Sequence, residues 1–375
     1  MSEWRKVILS DIASFTTGKL NSNAAVENGK YPFFTCSPET LRIDNYAFEQ
    51  EAILLAGNNA EGNFNIKYYN GKFNAYQRTY VFTAKDNCVL RFLFYSLKLC
   101  LDNFKRISQG TATKFLTAKI LNSFELMLPN LKMQQQIASI LSAIDDKIEL
   151  NTAINENLEQ QAQAYFVDLF ITNVDPNWRI GTISDLGNVV GGGTPSKKIK
   201  EYYTSDGIAW ITPKDLSNDK SKFVAHGETD ITELGLAKSS ATLMPKCAVL
   251  FSSRAPIGYI AIADGQVCTN QGFKSIVPFD NVGTAFVYYF LKENLSAIEN
   301  VASGSTFKEV SGSTMKNFTA IIPDNDTLAE FQRFCSPLFE QQRALEYENR
   351  YLSSIRDTFL PKLMNGEIDV SAVQI

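Results

Sequence analysis

Trp4-Arg5-Lys6-Val7-Ile8-Leu9-Ser10-Asp11-Ile12 returns, 174 residues further on, as Trp178-Arg179-Ile180-Gly181-Thr182-Ile183-Ser184-Asp185-Leu186. Both copies open on Trp-Arg and close on apolar-Ser-Asp-apolar, so a tandem repeat is the first reading of the chain. Gly110-Thr111-Ala112-Thr113-Lys114, Phe124 and Pro129 then match Gly304-Ser305-Thr306-Phe307-Lys308, Phe318 and Pro323 at a displacement of 194. The second copy therefore holds about 20 extra residues between the two matched stretches.

Each copy ends in a helical segment. Phe331, Leu338, Leu345, Leu352 and Phe359 recur every seven residues, with Phe334 and Ile355 at the other seam position. Subtracting 194 lands on Ile137, Ile144, Asn151, Leu158 and Tyr165, so the heptad phase is the same in both copies. Ser336-Pro337 reads as a cap and first helical residue, which predicts a short helix ahead of the second long one. Asn151, a polar residue at a seam position, is expected to set the register of a helix pair.

The expected organisation is a globular unit over 1–130, a long helix over 131–172, a second unit over 173–323, and a second long helix with its tail over 324–375. Apolar runs at 52–56, 79–83, 248–252 and 275–277 read as strands, and 90–103 and 284–295 as helices, so each unit is α+β.

The 375 residues have ordinary globular composition and room for two or three cores. Lys and Arg total 36 against 40 Asp and Glu, for a net charge of −4, with a pI of about 5.4. By segment the basic and acidic counts are 15 and 11 over 1–130, 2 and 6 over 131–172, 14 and 14 over 173–323, and 5 and 9 over 324–375. The helices carry the acidity, so they read as spacers and protein-binding struts and not as DNA ligands. The six cysteines show no C-x-x-C spacing and read as reduced core residues. The opening residues lack the apolar run of a signal peptide, and no stretch approaches a membrane span, which predicts a cytoplasmic protein.

Catalysis finds no support in the residues. His226 is the only histidine, in a polar context that predicts a surface position. Gly18-Lys19-Leu20, Gly29-Lys30-Tyr31 and Gly71-Lys72-Phe73 lack the hydroxyl of a P-loop. There is no Pro-Pro for a methyltransferase base pocket, and Pro323-Asp324 does not lead into an acid-x-Lys strand. Gly191-Gly192-Gly193 reads as a turn.

Polar loops stand out instead, because Asn and Gln can read adenine, Arg and Lys can read guanine, and Ser, Thr and Lys can hold phosphates. The candidate DNA contacts in the first unit are Asn58, Asn59, Asn63, Lys67, Tyr76, Gln77, Arg78, Thr111, Thr113 and Lys114. Those in the second are Thr194, Ser196, Lys197, Lys198, Lys214, Ser252, Ser253, Arg254, Tyr259, Asn270, Gln271, Lys274, Ser305, Thr306 and Lys308.

Gly193-Thr194-Pro195-Ser196 leading to Trp210-Ile211-Thr212-Pro213-Lys214-Asp215-Leu216, then Ser252-Ser253-Arg254-Ala255-Pro256-Ile257-Gly258-Tyr259, Asn270-Gln271-Gly272-Phe273 and the C-terminal run from Ile355 to Ile368 resemble the specificity subunit of type I restriction-modification enzymes. The run from Gln135 to Glu149 fits the same pattern. The first unit departs from it, with Ala56-Gly57-Asn58 where the second has Ser-Ser-Arg-Ala-Pro.

The resemblance implies a chain without catalysis, cofactor or metal of its own. Two target-recognition domains would each read half of an interrupted DNA site, and the two helices would pair antiparallel about a pseudo-two-fold to set the gap. About 27 residues between positions 144 and 170 give ~40 Å, near one turn of B-DNA at ~34–36 Å. The implied partners are double-stranded DNA, two modification subunits carrying S-adenosylmethionine for adenine N6 methylation, and two motor-nuclease subunits using ATP and Mg²⁺. The competing readings are an orphan, variable DNA-binding specificity protein and a coiled-coil scaffold without a DNA role.

Overall fold

In each copy the Trp-Arg segment forms the opening strand, and that strand closes on the last strand of its own unit. Arg5–Ile8 runs antiparallel to Glu125–Leu128 with Arg5 opposite Leu128. Arg179–Thr182 runs antiparallel to Thr319–Ile322 with Arg179 opposite Ile322. All four residue pairs of the first ribbon map onto the second under the displacements 174 and 194 read from the sequence.

The computed structural model describes residues 4–304 and 308–370. They form two compact units, Met1–Glu149 with Tyr351–Ile375, and Leu150–Arg350.

The first unit holds a six-stranded sheet in the order Ala13–Thr17, Thr79–Ala84, Phe48–Ala56, Ile66–Ala75, Tyr31–Phe34, Leu41–Ile43. The second half of the strand Phe48–Ala56, Ala52-Ile53-Leu54-Leu55-Ala56, reads as an unbroken apolar run because both faces are covered there. Ile53 and Leu55 enter a core with Phe82, Phe92 and Leu93, while Ala52 and Leu54 pack with Phe34, Phe73 and Val81.

The second unit repeats the first four positions of that order as Gly187–Gly191, Lys274–Pro278, Val249–Ser253 and Ile257–Ala263, with Phe223–Val224 added at the edge. Val249 and Phe251 face the helix Thr284–Glu293, and Leu250 faces a separate cluster with Ala261 and Phe273. The α+β reading of both units holds.

The first long helix is Leu131–Val167, followed by a π-helical turn over Asp168–Thr172. The second is one continuous helix, Asn325–Met364. The predicted break at Ser336-Pro337 is thus corrected. Pro337 removes one amide from the ladder, which ordinarily costs about 3 kcal/mol. Buried Phe331, Cys335 and Phe339 bracket it, and the Ser336 hydroxyl donates to the Gln332 carbonyl at 2.7 Å.

Within each unit the two helices run antiparallel. In the first, Arg356 meets Asp145 at 2.9 Å, and Ile137 and Leu141 share a core with Leu360 and Leu363. In the second, Asn151 is fully buried and donates to Glu348 at 2.7 Å and Asn349 at 2.9 Å. Tyr165 donates to Glu330 at 2.6 Å.

Ile137 and Leu158 are buried, Ile144 and Tyr165 half-buried, Phe331 buried, and Leu338, Leu345 and Leu352 half-buried. Phe359 leaves the seam, at 41% exposed, while Leu360 and Leu363 are buried; Phe334, though 39% exposed, stays on it, its ring centroid 4.5 Å from that of Tyr165. A straight helix drifts about 20° per heptad against a seven-residue repeat, so a seam extrapolated over four heptads rotates off the contact.

All six cysteines are free. Cys88, Cys268 and Cys335 are core residues as expected, whereas Cys36 and Cys100 are half-buried and Cys247 is exposed. Among the described residues, no helix is long and apolar enough to cross a membrane.

Candidate nucleic-acid interface

The motifs that carry the resemblance in the second unit build one cleft, and most of their residues act as its frame. Thr212-Pro213-Lys214-Asp215 is the start of the helix Pro213–Asn218, with Thr212 as N-cap, proline at the first position and Asp215 closing a capping box. One Asp215 oxygen accepts the Thr212 amide at 2.7 Å and its hydroxyl at 2.6 Å. The other accepts the Glu228 amide at 2.8 Å. Lys214 is left pointing outward, beside Glu228 at 2.6 Å, whose carboxylate pushes the lysine above its ordinary range.

The glycine-rich segment is pinned against this frame. The Trp210 indole donates to the Gly193 carbonyl at 2.9 Å and the Tyr203 hydroxyl to the Pro195 carbonyl at 2.6 Å. At Gly192 a Cβ would lie 1.9 Å from the Asn270 carbonyl oxygen, so only glycine allows the two loops to touch. Thr194 bonds to Gln271 across that contact.

The result is an open cleft of about 530 Å³, lined by Thr194, Lys197, Trp210, Thr212, Pro213, Lys214, Asp215, Glu228, Thr229, Arg254, Ala255, Asn270, Gln271 and Gly272. Six sequence-predicted contacts therefore converge: Thr194, Lys197, Lys214, Arg254, Asn270 and Gln271. Ser196, Lys198 and Lys308 are exposed outside the lining.

Two candidates have a different role. Ser252 and Ser253 are fully buried, which corrects their assignment as DNA contacts. Ser252 donates to the Pro256 carbonyl at 2.9 Å and accepts the Tyr259 amide at 2.8 Å, and Ser253 donates to the Gly272 carbonyl at 3.1 Å. They hold the Arg254 loop in shape. Tyr259 is half-buried, its hydroxyl 3.3 Å from Ser217. Ser305 and Thr306 lie outside the described residues.

Two acidic residues shape the cleft's charge without a signal in the sequence. Glu228 is one. Glu309 is the other, 3.5 Å from Arg254 and 3.3 Å from Lys274. Its counterpart in the first copy is Phe115, so the repeat gave no hint of it. His226 is a surface side chain, 3.3 Å from buried Asp230.

The first unit offers a smaller depression of about 320 Å³ at Thr17, Gly57, Gln77, Arg78, Tyr80 and Phe115 to Thr117. Gln77 donates to Asn21 at 2.7 Å. Asn58 and Asn59 pair with Phe115 and Lys114, and Asn59 accepts the amides of Glu61 at 2.9 Å and Asn63 at 3.0 Å. Lys105, which sequence reasoning passed over, donates to Asn63 at 2.7 Å. Lys67 bonds to Thr40 at 2.8 Å, and burial lowers its basicity. Tyr76 is half-buried, while Thr111 and Thr113 are exposed. Of the first unit's candidates, Gln77 and Arg78 line this depression.

Fold and site together define a duplicated protein that presents polar loops on two similar α+β units and joins them through long helices. The model of the type I restriction modification DNA specificity domain matches residues 1–160 and 176–346, and the chain belongs to this family. It is 26% identical over 466 aligned positions to the HindI specificity subunit of Haemophilus influenzae, spanning 98% of this chain and all of that one. It is 44% identical over 153 residues to the MjaIX specificity subunit of Methanocaldococcus jannaschii, a match that spans 40% of this chain and 35% of that relative. The crystal structure of a type I restriction-modification S subunit from M. genitalium superposes with a TM-score of 0.64 over 97% of this chain and 96% of that one, at 15% identity. That likeness is one of fold.

Proposed function

We propose that this chain is the DNA-specificity subunit of a type I restriction-modification system, reading a bipartite interrupted site with one half per unit. The observation that carries the reading is the cleft of the second unit. Arg254, Lys197 and Lys214 supply the donors that guanine and phosphate require, and Asn270 and Gln271 the amides that match adenine. Family membership supports the same assignment.

In this reading the chain works in the cytoplasm and performs no bond-making step. Two methyltransferase subunits bind S-adenosylmethionine and modify adenine N6, and two motor-nuclease subunits use ATP and Mg²⁺. The adenine must leave the stack to reach the methyltransferase, so the recognition units grip the flanking duplex while it is extruded.

Co-expression with the partner methyltransferase, followed by methylome sequencing of the host, tests this. The expected result is one motif of two specified halves separated by a fixed run of unspecified bases. A continuous motif, or no methylation from an assembled complex, would refute it.

A further inference from the structure

Glu309 lies beside the Arg254 loop of the second unit. Its backbone forms an antiparallel bridge with Arg254 and another with Ser303. One carboxylate oxygen faces Arg254 at 3.5 Å and the other faces Lys274 at 3.3 Å. Each carboxylate oxygen thus faces one cation, which sets the carboxylate between Arg254 and Lys274.

An arginine that only holds phosphate needs charge and reach, and an acidic neighbour weakens both. An arginine that reads a base edge needs its planar fork held in one orientation, which a carboxylate partner supplies. Among the described residues, exposed Lys197 and Lys198 have no ion-pair partner, which suits phosphate contacts; of the other cations lining the cleft, Lys214 faces Glu228 and Arg254, the one arginine, faces Glu309.

We propose that Glu309 is a positioning residue that orients the Arg254 guanidinium for bidentate reading of a guanine in the half-site bound by the second unit. This rests on the DNA reading proposed above. The first unit supplies an internal control. At the same register Asn58 stands opposite Phe115, just as Arg254 stands opposite Glu309, and no charge pair exists there. A defect in positioning therefore alters one half-site and spares the other.

The test is methylome sequencing of hosts that express the full chain with its methyltransferase, unsubstituted or carrying Glu309→Gln, Glu309→Asp, Arg254→Ala, or Arg254→Ala with Glu309→Gln. In Glu309→Gln, discrimination for guanine at one position of one half-site is expected to fall by about tenfold or more, with the other half unchanged. Glu309→Asp keeps the charge and should retain most of the preference. The double variant should match Arg254→Ala alone at that position. An unchanged motif in Glu309→Gln, relaxation spread over the whole half-site, or an added loss in the double variant would each overturn the proposal. Absence of a bipartite motif from the unsubstituted complex would instead remove the reading on which it rests.

Discussion

Glu159→Gln is expected to destabilise the second unit by about 3–5 kcal/mol, the usual consequence of stripping one partner from a buried ion pair. Glu159, on the first long helix, contacts the ammonium of Lys222 and lies 2.5 Å from that of Lys292. Lys222 is only 6% exposed and also donates to Gln342 at 2.6 Å and lies 4.2 Å from the Phe339 ring centroid. Burial, the largest effect, favours the neutral acid. The two lysines outweigh it and hold the Glu159 carboxyl down to about 2 from 4.5. Burial likewise pulls Lys222 below its ordinary range, with Glu159 opposing. A folded-state value below the unfolded one stabilises the native unit at pH above about 4.5, and this contribution fades as pH falls toward 2. Its size at neutral pH is about 3 kcal/mol. The assay is pulse-labelling hydrogen exchange across a urea series, read on peptides from Thr284–Glu293, with Leu90–Leu99 of the first unit as reference. Glu159→Gln should lower the midpoint of the former alone and flatten its acid dependence between pH 4.5 and 2. Adding Lys222→Met should recover part of the loss, since it removes the stranded charge. A Glu159→Gln midpoint within error of wild type, with the same acid dependence, would refute the reasoning.

Further outcomes follow from other parts of the molecule. Arg254→Ala should relax methylation specificity in one half-site only, and equal loss of both halves with an intact fold would count against modular reading. Inserting a few residues beside Asn151 should change the gap length without altering either half-site, which methylome mapping reads directly. Thr212→Ala removes an N-cap and should cost about 1 kcal/mol by urea denaturation, with loosened discrimination by the second unit. Native-state alkylation should reach exposed Cys247 first, while Cys88, Cys268 and Cys335, whose thiols burial pushes up to about 12, stay protected until unfolding.

The duplication was legible because its signals are local: Trp-Arg and Ser-Asp flank a single strand, and the displacements 174 and 194 reappear as strand register. Asn151 was legible for the same reason, since a polar residue on a periodic apolar stripe is visible in one helix alone. The Lys222 network was not, because it joins positions 159, 222, 292 and 342, which no spacing rule links. Glu309 was hidden by its counterpart Phe115. Pro337 misled because its intrinsic penalty is local while the packing that outweighs it comes from Phe331, Cys335 and Phe339. Ser252 and Ser253 were judged by side-chain type, and only backbone geometry shows their hydroxyls turned inward.

The paired terminal strands have an evolutionary consequence. Because Arg5–Ile8 lies beside Glu125–Leu128, and Arg179–Thr182 beside Thr319–Ile322, the chain enters and leaves each unit within about one strand spacing, ~4.8 Å. The stretch between those strands can be exchanged as a cassette wherever its contacts with the long helices, such as those of Lys222 with Glu159 and Gln342, are kept. A single crossover on each side of the insert can thus confer a new target in one event, without passing through intermediates that read nothing.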